Sequence, residues 1–255
     1  TEFMEQRAPG HAILDDKIYH RGFLDFKLDI TEKRASLDMM NDPEGWEKRE
    51  ELNAMEICCD ALIEFAGRFA DLARSQAGSC SDPARKDELL EIADTCDRVP
   101  AYPPRNFREA LQSYWFVHLG VVSELNTWDS FNPGRLDQHL ISFYREDLGN
   151  GSIDYNRAEE FLQCFWIKFN NQPAPPKVGI TEEQSGTYQD FALINVGGLT
   201  ESGENAANEL SELILKVVNE MHLIQPSACI QLSEKNSDDF LTSALEVAKS
   251  GIGQP

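Results

Sequence analysis

From residue 22 to residue 170 the apolar positions return at steps of three and four, the period of a helix that buries one face. A helix is predicted over 22–40. The longest signal covers 43–76, with Asp42 as the expected N-cap ahead of Pro43 at the first helical position. Leu52, Met55, Cys59, Leu62, Ile63, Ala66, Phe69 and Leu72 form its apolar stripe, which is expected to face a core. Ser81-Asp82-Pro83 opens the next helix, and Pro100, Pro103 and Pro104 stop it just after Val99. Phe107, Ala110, Leu111, Tyr114, Trp115, His118 and Leu119 continue in a helix that is apolar almost all round, the pattern of a central element. Two more helices are predicted over 135–147 and 156–170, closed by Pro173, Pro175 and Pro176.

The period then changes. Residues 191–198 are a short apolar run ending in Gly197-Gly198, the signature of a buried strand and a turn. A helix over 204–223, a strand over 227–232 and a helix over 236–250, capped by Asn236 or Ser237, follow. The fold class is therefore mostly α, with the beginning of an α/β arrangement of parallel strands. Residues 1–176 are read as the mainly helical part of one partial domain, and 177–255 as its strand-helix-strand-helix part. Two strands do not make a stable sheet by themselves. The chain is therefore expected to be an internal segment of a longer polypeptide.

Composition narrows the function classes. The chain has 255 residues, is 41% hydrophobic and carries a formal charge of −21 from 23 basic and 44 acidic side chains. It is globular in type. Nucleic acid and anionic membranes are poor partners, because both are bound by clustered Lys and Arg. No apolar run reaches the roughly 18 residues of a membrane span, and no signal peptide opens the sequence. A cytoplasmic location is expected. The six cysteines, Cys58, Cys59, Cys80, Cys96, Cys164 and Cys229, form no Cys-x-x-Cys pair. Reduced, buried thiols are expected, with no metal site.

No Walker loop, Rossmann fingerprint, zinc motif or Gly-x-Ser-x-Gly elbow is present. Polar residues instead cluster beside helix and strand breakers, in 5–11, 124–138 and 186–190. Loops held on a rigid scaffold are where binding residues concentrate. By residue type alone, Asp129 or Ser130 could cap a helix, Arg135 and Asp137 could form a structural ion pair, and His11 could be a satisfied core histidine.

Gln6-Arg7-Ala8-Pro9-Gly10-His11, the segment Ser130 to Gln138, and Asn195-Val196-Gly197-Gly198 with Asn205 to Ser211 resemble the glycyl radical enzymes. The similarity is to the pyruvate formate-lyase-like family, on its dehydratase and lyase branch, and runs in order through nearly the whole chain. It implies a ten-stranded α/β barrel wrapped in helices, of which this chain would hold outer helices and first strands. It also implies a glycyl radical on a residue outside this chain, installed by an activating enzyme that uses S-adenosylmethionine and an iron–sulfur cluster. The family's cysteine, with a glutamate two residues later, and its late glycine motif are both missing here. Cys229 lies in a strand-like run and is not given the thiyl role.

The resemblance further implies a substrate wall. His11 matches a histidine that bonds a substrate hydroxyl, as imidazole chemistry permits. Trp128, Asp129 and Ser130 fall near a polar pair of the same pocket, Tyr188 near a pocket tyrosine, and Gln6 and Arg7 beside them as donors. Arg135 and Asp137 are assigned to structure. The expected function is elimination of water, or of another leaving group, from a small hydroxylated substrate by the intact enzyme, a homodimer. The alternatives are an isethionate-type C–S lyase, a formate acetyltransferase, a non-catalytic helical scaffold, and a small-ligand binding module.

Overall fold

The computed structural model of the chain describes residues 12–124, 132–171 and 192–254. In chain order its elements are α1 (Lys17–His20), α2 (Phe23–Ala35), α3 (Gly45–Ser79), α4 (Pro83–Arg98), α5 (Phe107–Glu124), α6 (Leu136–Asn150), α7 (Tyr155–Asn170), β1 (Leu193–Gly197), α8 (Glu209–Met221), β2 (Ser227–Gln231) and α9 (Asp238–Lys249). The described part is thus mostly helical with a small parallel sheet. Two compact units are present, one drawn from Thr1–Asp15 and His118–Pro255, the other from Asp16–Val117.

In the Asp16–Val117 unit, α3 and α4 form an antiparallel hairpin. Asp82 starts α4 by accepting the Ala84 amide, with Pro83 in the first turn, where its missing N–H costs nothing. Asp42 does not cap α3. Its carboxylate accepts the Glu44 amide in the turn before the helix, which begins at Gly45. The aspartate forms its own tight turn, a use that competes with capping.

The buried seam of α3 also differs from the expected stripe. Cys59, Ala66, Ala70, Ala73 and Ala77 are buried, whereas Met55, Phe69 and Leu72 are 48%, 44% and 52% exposed. Alanines at steps of four, three and four let α4 approach closely, and Cys96 and Phe116 complete that core with Phe65 and Ile92 beside it. Phe69 lies on the flank of the seam and meets Phe65 and Phe116 at ring-centroid distances of 5.0 and 6.2 Å. Alanine contributes little to a hydrophobicity pattern, so periodicity selects the larger side chains. Of the cysteines, Cys59 and Cys96 are buried, but Cys58 and Cys164 are exposed, contrary to expectation, and none of the six is in a disulfide. Both lie on the outer faces of amphipathic helices.

Arg34 ties α2 to α3 through Asn53 and Glu56, at 2.9 and 2.5 Å. Glu109 in α5 is buried and satisfied by Arg105, whose amide and Nη2 donate at 2.8 and 2.5 Å. A buried carboxylate is tolerated when so paired. The near-continuous apolar character of α5 corresponds to burial of Phe107, Tyr114, Trp115, Phe116 and His118.

In the other unit α8 is the central helix. Leu210, Leu213, Ile214, Leu215, Val217 and Val218 are all buried. Burial of such side chains contributes about 1.5–3 kcal/mol each. On α7, Phe165 and Phe169 meet edge to face at 4.9 Å, and His118 packs on Phe169 at 4.8 Å. β1 and β2 pair in parallel, Leu193 opposite Ser227 and Gly197 opposite Gln231. Parallel partners need a crossover, and α8 supplies it. Asn208 caps α8 by accepting the Leu210 and Ser211 amides. Ser237 caps α9 through the Phe240 amide.

Candidate functional site

The sheet extends beyond its two strands by single parallel rungs. Ala12 bridges Asn132, and Gly134 bridges Ile194. Four chain segments therefore lie side by side in the order 12, 132–134, β1, β2, all pointing the same way. The Asn195 amide donates to Gly134 O at 2.8 Å. One step earlier the bond to β1 comes from a side chain, with Asn132 Oδ1 accepting the Leu193 amide at 2.7 Å. Asn132 is buried.

At the other end of β1 a polar knot surrounds the Gly197-Gly198 turn. Both glycines have positive φ, +77° and +72°, and a Cβ on Gly197 would stand 2.4 Å from the Phe240 ring. Only glycine fits there. Arg135 and Asp137 grip this one residue. Arg135 Nη2 donates to Gly197 O at 2.9 Å, and Asp137 Oδ2 accepts the Gly197 amide at 2.8 Å. The ion pair expected of them is thus replaced by two bonds to the same backbone residue, Gly197. Asp137 Oδ2 also accepts the Ser211 hydroxyl at 2.6 Å, and Ser211 Oγ accepts the Asn208 amide at 3.0 Å. Gln138 Nε2 reaches Ala206 O at 2.7 Å. Asn236 Nδ2 holds Gly198 O at 2.9 Å and Asn205 Oδ1 at 2.7 Å.

Burial pushes the Asp137 carboxyl above the ordinary carboxylate range. Its Oδ1, and the Nε of Arg135, are buried with no hydrogen-bond partner among the described residues. Among the described residues, no group of three or more His, Cys, Asp or Glu is placed to hold a metal, and no helix is long and apolar enough to cross a membrane.

The sequence-predicted site residues Gln6, Arg7, His11, Trp128, Asp129, Ser130 and Tyr188 all lie outside the described residues. Of the stretches that carried the resemblance, 6–11 lies outside the described residues, and the described parts of the others, 132–138, 195–198 and 205–211, build the Gly197 knot. Asn132 was not singled out from the sequence. Its place one residue before Pro133 and two before Gly134 was the available signal.

The pyruvate formate lyase-like family model matches residues 1–255. The chain belongs to this family of glycyl radical enzymes. It is 53% identical over its whole length to trans-4-hydroxy-L-proline dehydratase of Clostridioides difficile, covering 32% of that protein. The crystal structure of that dehydratase with trans-4-hydroxy-L-proline bound matches all of this chain with a TM-score of 0.92. The glycerol-bound B12-independent glycerol dehydratase from Clostridium butyricum matches all of it at 28% identity and a TM-score of 0.87, covering 33% of that chain. Isethionate sulfite-lyase of Desulfovibrio desulfuricans is 36% identical over 243 residues, which is 94% of this chain and 29% of that protein. The chain thus spans about a third of the length of the relatives it matches.

Proposed function

We propose that the intact protein is a glycyl radical dehydratase that removes water from a small hydroxylated substrate, and that this substrate is trans-4-hydroxy-L-proline. The observation that carries the reading is the 53% identity held over the entire chain with a dehydratase of that compound. In the intact protein, β1, α8 and β2 begin a ten-stranded barrel. The protein is a cytoplasmic homodimer served by an activating enzyme that uses S-adenosylmethionine and an iron–sulfur cluster.

The glycyl radical, on a residue outside this chain, supplies hydrogen-atom abstraction through a cysteine. The residues of this chain bind, orient and exchange protons. His11 donates a proton to the departing hydroxyl, so that the C–O bond breaks with release of water. Gln6 and Arg7 face the substrate carboxylate, for which a guanidinium gives charge-assisted bonds. Asp129, Ser130 and Tyr188 orient the hydroxyl and ring, and Trp128 excludes water from the radical. The net change is loss of one hydroxyl and one proton, with the abstracted hydrogen returned at the end of the cycle. Support comes from the parallel bridges Ala12–Asn132 and Gly134–Ile194, which set three segments of the matched family sequence side by side.

The test is anaerobic activation of the full-length protein by its activating enzyme. Turnover is then assayed with trans-4-hydroxy-L-proline, glycerol, isethionate, and pyruvate with coenzyme A. Selective dehydration of hydroxyproline is expected. Sulfite release from isethionate, favoured by the 36% identity to the sulfite-lyase, would replace the reading with C–S cleavage. Acyl transfer from pyruvate would replace it with a formate acetyltransferase, and no turnover of an activated protein with a scaffold.

A further inference from the structure

Two side chains of opposite charge hold Gly197, yet they do not bond each other. Arg135 gives Nη2 to Gly197 O, and its Nε is buried with no hydrogen-bond partner among the described residues. Asp137 Oδ2 accepts both the Gly197 amide and the Ser211 hydroxyl, and its Oδ1 is bare in the same sense. Asp137 has no exposed surface, while Arg135 is partly exposed. A fully buried carboxylate without a bonded countercharge is costly, and such a group takes up a proton instead. The proton belongs on Oδ1, because Oδ2 already accepts twice. A protonated Oδ1 and the Arg135 Nε–H are both donors, so the neutral acid leaves the guanidinium on Gly197 O. Ionisation makes Oδ1 an acceptor, and a guanidinium bonds a carboxylate more strongly than a carbonyl. The other groups around Asp137 are neutral: Gly197 of β1, Ser211 and Asn208 of α8, and Gln138 of α6. α9 meets the turn with the Phe240 ring. The acids in the first turn of α8 are Glu209, which Arg145 binds, and Glu212.

We propose that this knot is a pH-sensitive latch: Asp137 is a neutral acid while Arg135 holds Gly197 O, and its ionisation draws the guanidinium off that carbonyl and loosens the Gly197-Gly198 turn. The O–H bond of Asp137 is the one bond broken, and the proton passes to solvent. The turn is the base of the loop that leads from β1 to α8. Gly198 O accepts the Ala206 amide at 3.0 Å and Asn236 Nδ2 at 2.9 Å, and Leu199 bridges Asn205. Release of Gly197 O therefore reaches residues 198–206 first. The Gly197 amide stays on Oδ2, since a carboxylate is the better acceptor. The latch is independent of the dehydratase reading.

The experiment uses the full-length protein as wild type, Asp137→Asn and Arg135→Gln. The asparagine keeps the shape of the neutral acid and cannot ionise, and the glutamine keeps a donor for Gly197 O without the charge. Two quantities are followed as the pH is raised across the folded range. One is the infrared band of a protonated carboxyl in the difference between wild type and Asp137→Asn. The other is amide hydrogen exchange of peptides covering 195–208, corrected for the intrinsic pH dependence of exchange, with peptides of α7 as the control. In wild type the carboxyl band should be present at low pH and vanish as the pH rises. Protection of the Ala206 amide should fall at least tenfold over the same interval, with the α7 peptides unchanged. In Asp137→Asn the Ala206 protection should stay within threefold throughout. In Arg135→Gln the band should persist to higher pH than in wild type, and the Ala206 protection should no longer follow it. Absence of the band in folded wild-type protein overturns the proposal. So does loss of the band with no change at Ala206, or the same loss of Ala206 protection in Asp137→Asn. Loss of protection in α7 together with Ala206 also overturns it, since that marks general unfolding.

Discussion

The Ser211 hydroxyl donates to Asp137 Oδ2 at 2.6 Å, joining residues 74 positions apart, both with no exposed surface. The same oxygen takes the Gly197 amide, so the first turn of α6, the end of β1 and the first turn of α8 meet at one atom. Asp137 is held where a carboxylate is poorly solvated, and this gives it a pH signature.

Burial raises the Asp137 carboxyl above its ordinary value, against the hydrogen bonds from Ser211 and Gly197 and the charge of Arg135, which lower it. Below the reference value of 3.8, folded and unfolded chains both hold the proton. As pH rises past that value the unfolded chain releases it and the folded chain keeps it. Stability therefore falls until the folded value is passed, then levels. Asp137→Asn has no such loss. The melting temperature of the variant relative to wild type should move in the variant's favour as the pH rises above 3.8. A difference independent of pH would show that Asp137 ionises as readily in the folded protein as in the unfolded chain.

Gly197→Ala should cost about 2–5 kcal/mol, combining a left-handed backbone with a collision against Phe240. In a Phe240→Ala background the left-handed backbone, about 1–2 kcal/mol, and a close contact with Gln231 O at 3.3 Å remain. Thermal melts of the two single variants and the double variant check this. Equal penalties in both backgrounds would mean that the ring moves aside at no cost.

On α3, Phe69→Ala should cost about 1–2 kcal/mol, less than the 3–5 of a buried phenylalanine, because the ring is 44% exposed. Ala70→Leu, on the fully buried seam, should cost more, about 2–3 kcal/mol through overpacking against α4. The reverse order in chemical denaturation would return the core to the stripe of large side chains.

Asn208→Ala removes the acceptor of two α8 amides and should cost about 1 kcal/mol, whereas Asn208→Ser should keep most of it. Melting temperatures decide. Equal losses for both variants would point to the contacts of Asn208 Nδ2 with Ala206 O and Asp137 O as the larger effect.

What was legible in the sequence was local. The order of helices and strands, the helix start at Ser81-Asp82-Pro83, a cap at Asn236 or Ser237, the breaks at proline, and the change from helical period to short buried runs all follow from neighbours within a few residues. The family resemblance was carried by stretches at 6–11, 130–138, 195–198 and 205–211 that could be matched one by one; the described parts of the last three come together in the structure. Their convergence on Gly197 could not be read this way, because the hydrogen bonds between them span 60 to 74 positions, and no local period encodes which distant donor an acceptor will find.

The sequence by itself determined which segments are helix or strand and which family they resemble, because propensity, capping and motif spacing act over one or two turns of chain. Tertiary structure decided which face of α3 is buried, where close helix approach favours Ala66, Ala70, Ala73 and Ala77 over Phe69 and Leu72. It also decided that Asp137 and Arg135 grip Gly197 and that Asn132 serves Leu193. Those outcomes depend on satisfying buried polar groups with whatever partners packing brings within reach, a condition set by the whole fold.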